Sequence, residues 1–280
     1  MTLLTVRQTK DSARNSLNNK MGDALTITMH TIINICMIAL LEFALYLMLD
    51  RFGLGYYYDL RNIFKIPWVA VMWGIQAVVI ISFLTYQRHI VRRMFIDITV
   101  GKDYILTRQY IFAHTNEFIR LSLRSSLIMN FLKFVMLTPA LLSCYMIYLW
   151  SMRNRTDELT SLGLFVFMLC IGFTIIWLGL FVKYCASLAL APYIMSLNPR
   201  TNVFDACDLS AKLMEGHYGQ YFSLMISFVV YIPLLILIYP IFVVYPFWAA
   251  CYDTMVKDIM GSYWQDKMPS MIRRWQKYQQ

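Results

Sequence analysis

Four stretches of this chain, 24–49, 66–86, 126–150 and 162–190, are each long and apolar enough to cross a bilayer. About 20 apolar residues cover the ~30 Å of hydrocarbon. Inside lipid every backbone donor and acceptor must be bonded within the segment, so such stretches become helices. Composition agrees: 59% of the 280 residues are apolar and only 15% are charged, against roughly 25% charged in soluble domains. A soluble globular enzyme or regulator is therefore excluded as a class. The fold expected is all-α, a polytopic transmembrane helix bundle with short amphipathic interfacial helices.

The number of crossings turns on residues 219–256, an apolar run containing Pro233, Pro240 and Pro246. As one helix it would extend about 57 Å, nearly twice the hydrocarbon thickness. It must break, and Tyr239-Pro240 is the expected turn, because proline removes a backbone donor and clashes with the preceding turn. The expectation is a fifth span at 219–238 and a short sixth at 241–256; a re-entrant hairpin is the alternative. With six spans and the N-terminus in the cytoplasm, the inner segments 1–23, 87–125, 191–218 and 257–280 carry 18 Lys and Arg, and the outer loops 50–65 and 151–161 carry 5. That asymmetry places both termini in the cytoplasm of a cell membrane. The first 23 residues are polar, and the run behind them is too long for a signal-peptide core and lacks a small-residue cleavage site, so it reads as a retained first span. The net charge of +9, lying between apolar segments, points to anionic lipid headgroups at the cytoplasmic face rather than to nucleic acid.

The segments outside the bilayer are structured in this reading. Residues 1–23 suggest an amphipathic helix, with Ala13, Leu17 and Met21 four residues apart and Arg14 and Lys20 beside them. In the 87–125 loop, Arg88, Arg92 and Arg93 suit headgroup contact, while Ile105, Tyr110, Ile111, Phe118 and Leu121 predict helices docked at the membrane face. In the 191–218 loop, Asn202 and Asp205 resemble a capping box. Ala206, Leu209 and Leu213 make one apolar stripe, and Gly216 suits the C-terminal cap, so a helix is predicted over 203–215.

The stretch Ser210-Ala-Lys-Leu213-Met214-Glu-Gly216-His217, followed by Phe222 and Ser227-Phe228, resembles the signature of domain-of-unknown-function family 975. The run Pro246-Phe247-Trp248-Ala249-Ala250-Cys251-Tyr252 is similar to a later part of that pattern, and Ala13, Arg14 and Leu17 to its opening. The resemblance covers the last third best. It implies a bacterial multi-pass membrane protein, of a kind found mainly in Firmicutes, with no settled activity. The proline-rich turn and the long basic loop after span two depart from the family pattern.

Candidate sites are few. Glu42 lies inside span one, where an acid is costly and normally faces a cavity or a partner. Its readings are a proton- or cation-binding carboxylate, or a protonated or hydrogen-bonded side chain facing the bundle. His30, Asn34 and Glu42 form a polar stripe that would line a path or join helices. Lys133 and Lys183 are expected to snorkel to the inner interface. His217 beside Gly216 suits a helix C-terminus. The six cysteines, Cys36, Cys144, Cys170, Cys185, Cys207 and Cys251, show no metal spacing and read as small buried hydrophobes. No HExxH, GxSxG, P-loop or GxGxxG is present, so no catalytic residue, cofactor or metal site is expected. The function expected is that of a non-catalytic accessory or scaffold component, with the bilayer and another membrane or cytoplasmic protein as partners. The alternative is a small-solute or ion permease using Glu42.

Overall fold

In a computed structural model, residues 4–18, 20–53, 67–99, 104–153, 161–231, 233 and 238–267 are described. Their regular elements are all helices: α1 (Val6–Asn18), α2 (Met21–Arg51), α3 (Pro67–Thr99), α4 (Tyr104–Ala113), α5 (Thr115–Arg153), α6 (Ser161–Ser187), α7 (Ala191–Leu197), α8 (Val203–Met214), α9 (Tyr218–Val229) and α10 (Ile238–Lys267).

Four of these helices are long and apolar enough to cross a membrane: α2, α3, α5 and the segment running from α6 through α7. Between 0% and 17% of the most apolar window of each is buried within the protein. Leu41, Phe43, Phe165 and Ile176 face outward with about 60% or more of their surface free. Each apolar side chain left in water forgoes roughly 1.5–3 kcal/mol of burial free energy. Four helices exposed in this way are stable only with lipid around them.

Between the spans the contacts are those that lipid favours, polar bonds and aromatic stacks. Thr174 Oγ1 donates to Ser143 Oγ at 2.8 Å, and Ser143 Oγ donates to the Cys170 carbonyl at 3.0 Å. Both bonds join α5 to α6. Beside Pro139, which lies inside α5, the Trp177 indole donates to the Met136 carbonyl at 2.6 Å. Trp150 stacks on Phe167 at 4.6 Å between ring centroids.

The buried core lies at one end of the spans, the end bearing Arg88, Arg92 and Arg93. It joins Ala13 and Leu17 of α1, Phe95 and Ile98 of α3, Phe118 of α5, Met195 of α7, Leu213 of α8 and the 249–260 stretch of α10. We call this packed end the head. Thr9, Ala13 and Leu17 form the buried stripe of α1, which packs directly on α10. The expected N-terminal helix thus docks on protein, while Met21, expected to continue its stripe, opens α2 and is exposed. The Leu4 amide donates to Asp258 Oδ2 at 3.0 Å, fastening the two ends of the chain together.

The predicted docked helices of the 87–125 loop are the end of α3, α4 and the start of α5. Ile111, Phe118 and Leu121 are buried, whereas Ile105 and Tyr110 are exposed. Arg93 Nε donates to Asp97 Oδ2 at 3.2 Å, and Thr107 Oγ1 donates to the same oxygen at 3.1 Å, tying α4 to α3. The helix predicted over 203–215 is α8. Asn202 holds its N-cap position in extended conformation without a side-chain cap bond, and Gly216 takes the left-handed φ of +84° that a glycine tolerates at the end of a helix.

The break in the final apolar stretch differs from the expectation. α9 ends at Val229 and the described part of α10 begins at Ile238, so Tyr239 and Pro240 are helical and stand at its start; residues 232 and 234–237 of the expected fifth span lie outside the described residues. Amides in a first helical turn have no intrahelical partner, so a proline there removes nothing the helix needs. With 12 residues, α9 is about 18 Å long, shorter than the hydrocarbon layer. Pro246 falls inside α10. Most of the outer loops and the last part of the tail lie outside the described residues.

Candidate anion-binding site at the base of the spans

A concavity of about 490 Å³ opens where the spans meet the head. Its floor is cationic. Arg88 and Arg92 stand four residues apart on α3, and Lys133 reaches in from α5. Like charges at that spacing on one helix repel. Among the described residues no carboxylate lines the cavity to offset them. Asp253 is fully buried and interacts electrostatically with Arg92, yet does not line the space.

The rest of the polar wall is tyrosine, Gln87, Thr31 and the Cys185 thiol. Tyr193, Tyr221, Tyr245 and Tyr252 come from α7, α9 and α10. The Arg92 guanidinium lies 4.7 Å from the centre of the Tyr193 ring, a cation–π contact that fixes its plane. The Tyr252 hydroxyl donates to the Ala189 carbonyl at 3.3 Å. Two polar atoms remain buried without a hydrogen-bond partner here: Arg92 Nη1, a donor, and Gln87 Oε1, an acceptor. Unpaired buried polar atoms are costly. The remaining lining is largely apolar, with Ile35 of α2, Leu84 of α3 and Met225 of α9.

A buried polar network holds this floor in place. His89, between the two arginines in sequence, is 1% exposed. Its Nδ1 lies 3.1 Å from Ser196 Oγ and its Nε2 3.0 Å from Ser125 Oγ. Ser196 donates its hydroxyl proton to the Pro192 carbonyl at 2.6 Å, and Ser125 donates to the Ser122 carbonyl at 3.3 Å. The ring links α3, α5 and α7. On α10, Lys257 donates to the Ile96 carbonyl at 3.5 Å and to Thr99 Oγ1. This places a cation at the C-terminus of α3, where the helix dipole favours it. Burial pushes the Lys257 ammonium down to about 8, with Asp253 and Asp97 opposing the shift.

The residues singled out in the sequence fall elsewhere. The Gln76 amide of α3 donates to Glu42, which is the helix-joining reading of that acid. Asn34 and His30 line a separate cavity of about 120 Å³ with Phe83 and Tyr86; Glu42 lines neither cavity. In the family-like stretch, Ser210 Oγ donates to the Ser187 carbonyl at 2.6 Å and accepts from the Leu190 amide at 3.1 Å. It thus closes the end of α6 onto the start of α7. Leu213 and Met214 are core. His217 is the N-cap of α9, its Nδ1–H donating to the Glu215 carbonyl at 3.1 Å. Lys133 joins the cationic floor, while Lys183 lies 5.9 Å from the centre of the Tyr218 ring. Of the six cysteines only Cys207 and Cys251 are buried; Cys36 and Cys144 are exposed on the outer faces of their spans. Comparison of the chain with protein-family models, characterised proteins and solved structures yields no match.

Proposed function

We propose that this chain is a non-catalytic accessory or scaffold component of a bacterial cell membrane, seated with its head in the cytoplasm and both termini there. The observation that carries this reading is the cavity at the base of the spans: three cations and four tyrosines surround it, and among the described residues no carboxylate is on its lining. Such a lining suits an anion. The contact of α1 with α10 supports placing both termini on one side, and the excess of Lys and Arg in the segments flanking the head supports placing that side inside. Four spans with a re-entrant α9–α10 hairpin and six full spans satisfy this arrangement equally, since both counts are even. Membership of family 975 belongs to the same proposal and rests on the Ser210 to His217 stretch.

The head also presents exposed apolar residues, Phe112, Ile119 and Phe204 among them, for a membrane or cytoplasmic protein partner. Native mass spectrometry of the chain extracted in mild detergent tests the scaffold role. A second protein copurifying in fixed stoichiometry is the expected result. A solitary monomer both in cells and after extraction contradicts it. The hydrogen bond from Gln76 to Glu42 supports the helix-joining role of that acid over the permease reading.

A further inference from the structure

The cavity at the base of the spans has a cationic floor, an apolar wall and two unpaired polar atoms, and these three features together define a ligand. We propose that it is a binding site for the headgroup of an anionic phospholipid. The phosphate is held by Arg88, Arg92 and Lys133, and the acyl chains lie along the apolar wall. This deepens the reading of the chain as a membrane protein and rests on it.

The cations require an anion. Arg88 and Arg92 repel one another on a single helix face, Lys133 adds a third charge from a different helix, and among the described residues no carboxylate completes the ring. A guanidinium fork matches phosphate geometry and binds it bidentately. Arg92 Nη1 is buried without a hydrogen-bond partner, and the Arg92 side chain lines the cavity. Gln87 is 8% exposed, and its unpaired Oε1 calls for a donor. A phosphate oxygen cannot supply one, whereas a hydroxyl or amine on the headgroup can.

The walls require an amphiphile. Thr31, Ile35, Leu84 and Met225 continue the lining from the cations toward the outward faces of the spans. The volume of about 490 Å³ falls within the roughly 300–1,000 Å³ of ordinary small-molecule sites. It admits a headgroup and leaves the chains to the bilayer. The location agrees, because Arg88 lies just beyond the apolar part of α3, at the depth where lipid phosphates sit.

The test is a titration of short-chain phosphatidylglycerol into the full chain in an uncharged detergent, read as a rise in melting temperature. A ligand that binds the folded state alone stabilises it in proportion to the logarithm of its saturation. Phosphatidylcholine and inorganic phosphate are run in parallel. The proposal expects phosphatidylglycerol to protect and the other two to have little effect. The double variant Arg88→Gln/Lys133→Gln should need about tenfold more phosphatidylglycerol or beyond, the scale of one lost charge-assisted contact. Lys212→Gln, which removes one charge from the exposed face of α8, should titrate as the parent. Equal protection by phosphatidylcholine overturns the anion site, and full protection by inorganic phosphate overturns the lipid as ligand. A double variant indistinguishable from the parent overturns the residues. Should that variant not fold, the comparison of the three ligands on the parent chain still decides. A chain that stays in solution without detergent would instead overturn the membrane reading, before any lipid is added.

Discussion

Replacing Ser210 by alanine strips one oxygen atom from the head and orphans two backbone groups. The hydroxyl of Ser210 is fully buried; it donates to the Ser187 carbonyl at 2.6 Å and accepts from the Leu190 amide at 3.1 Å. These are the last carbonyl of α6 and the amide just ahead of α7, groups that the helices cannot satisfy themselves. Leaving a buried donor or acceptor unpaired costs about 1–3 kcal/mol, less for the carbonyl, whose second lone pair softens the loss. The expected destabilisation is about 2–4 kcal/mol. For a chain of 280 residues that corresponds to a fall in melting temperature of roughly 3–7 °C in detergent. Ser227→Ala is the control. That hydroxyl donates only to the Leu224 carbonyl of its own helix at 2.6 Å, so its removal should cost less than about 0.5 kcal/mol. A Ser210→Ala protein melting within a degree or two of the parent would refute the closure of α6 onto α7 by this side chain.

Glu42→Gln should leave the melting temperature nearly unchanged, because a glutamine still accepts from Gln76, while Glu42→Leu should cost about 1 kcal/mol; a Glu42→Gln protein melting far below the parent would argue for an ionised role instead. His89→Phe should lose about 2–4 kcal/mol, since Ser125 and Ser196 both lose a partner in a buried site, and parent-like melting would contradict the network. Lys257 titrates near 8 in the folded chain and near its ordinary 10.5 when unfolded. Between those values the unfolded chain holds a proton that the folded one lacks, so stability from this group rises with pH across about 8 to 10.5. Lys257→Met should flatten that rise, and identical pH–melting curves for the two proteins would count against it.

The four spans were legible because lipid imposes a simple rule, about 20 apolar residues in a row, and 24–49, 66–86, 126–150 and 162–190 each fall within or overlap a membrane-length apolar helix. α8 was legible for a different reason: Ala206 and Leu213 repeat on one face, and Gly216 closes the helix. The start of α10 was not. A proline in an apolar run reads as a stop, yet in a first helical turn it is tolerated, and sequence alone does not say which register applies. α7 was hidden for the same reason, its Pro192 and apolar residues merging with the span before it. Of the candidate site, Arg88 and Arg92 stood out as basic residues beyond a span, and their four-residue spacing was the available signal. Tyr193, Tyr221, Tyr245 and Tyr252 come from distant parts of the chain and carry no local mark of converging on those arginines and Lys133. Glu42 drew attention because an acid in lipid is costly; the amide that satisfies it sits on another helix.

Single cysteines at Asp50, Arg14 and Glu215, probed in intact cells with a membrane-impermeant maleimide, test the arrangement of spans and head most directly. Asp50 ends α2 at the pole away from the head, whereas Arg14 and Glu215 are exposed on the head itself. Labelling at position 50 in intact cells, with positions 14 and 215 reacting only after the membrane is opened, is the predicted result. Equal labelling of all three before permeabilisation would contradict it.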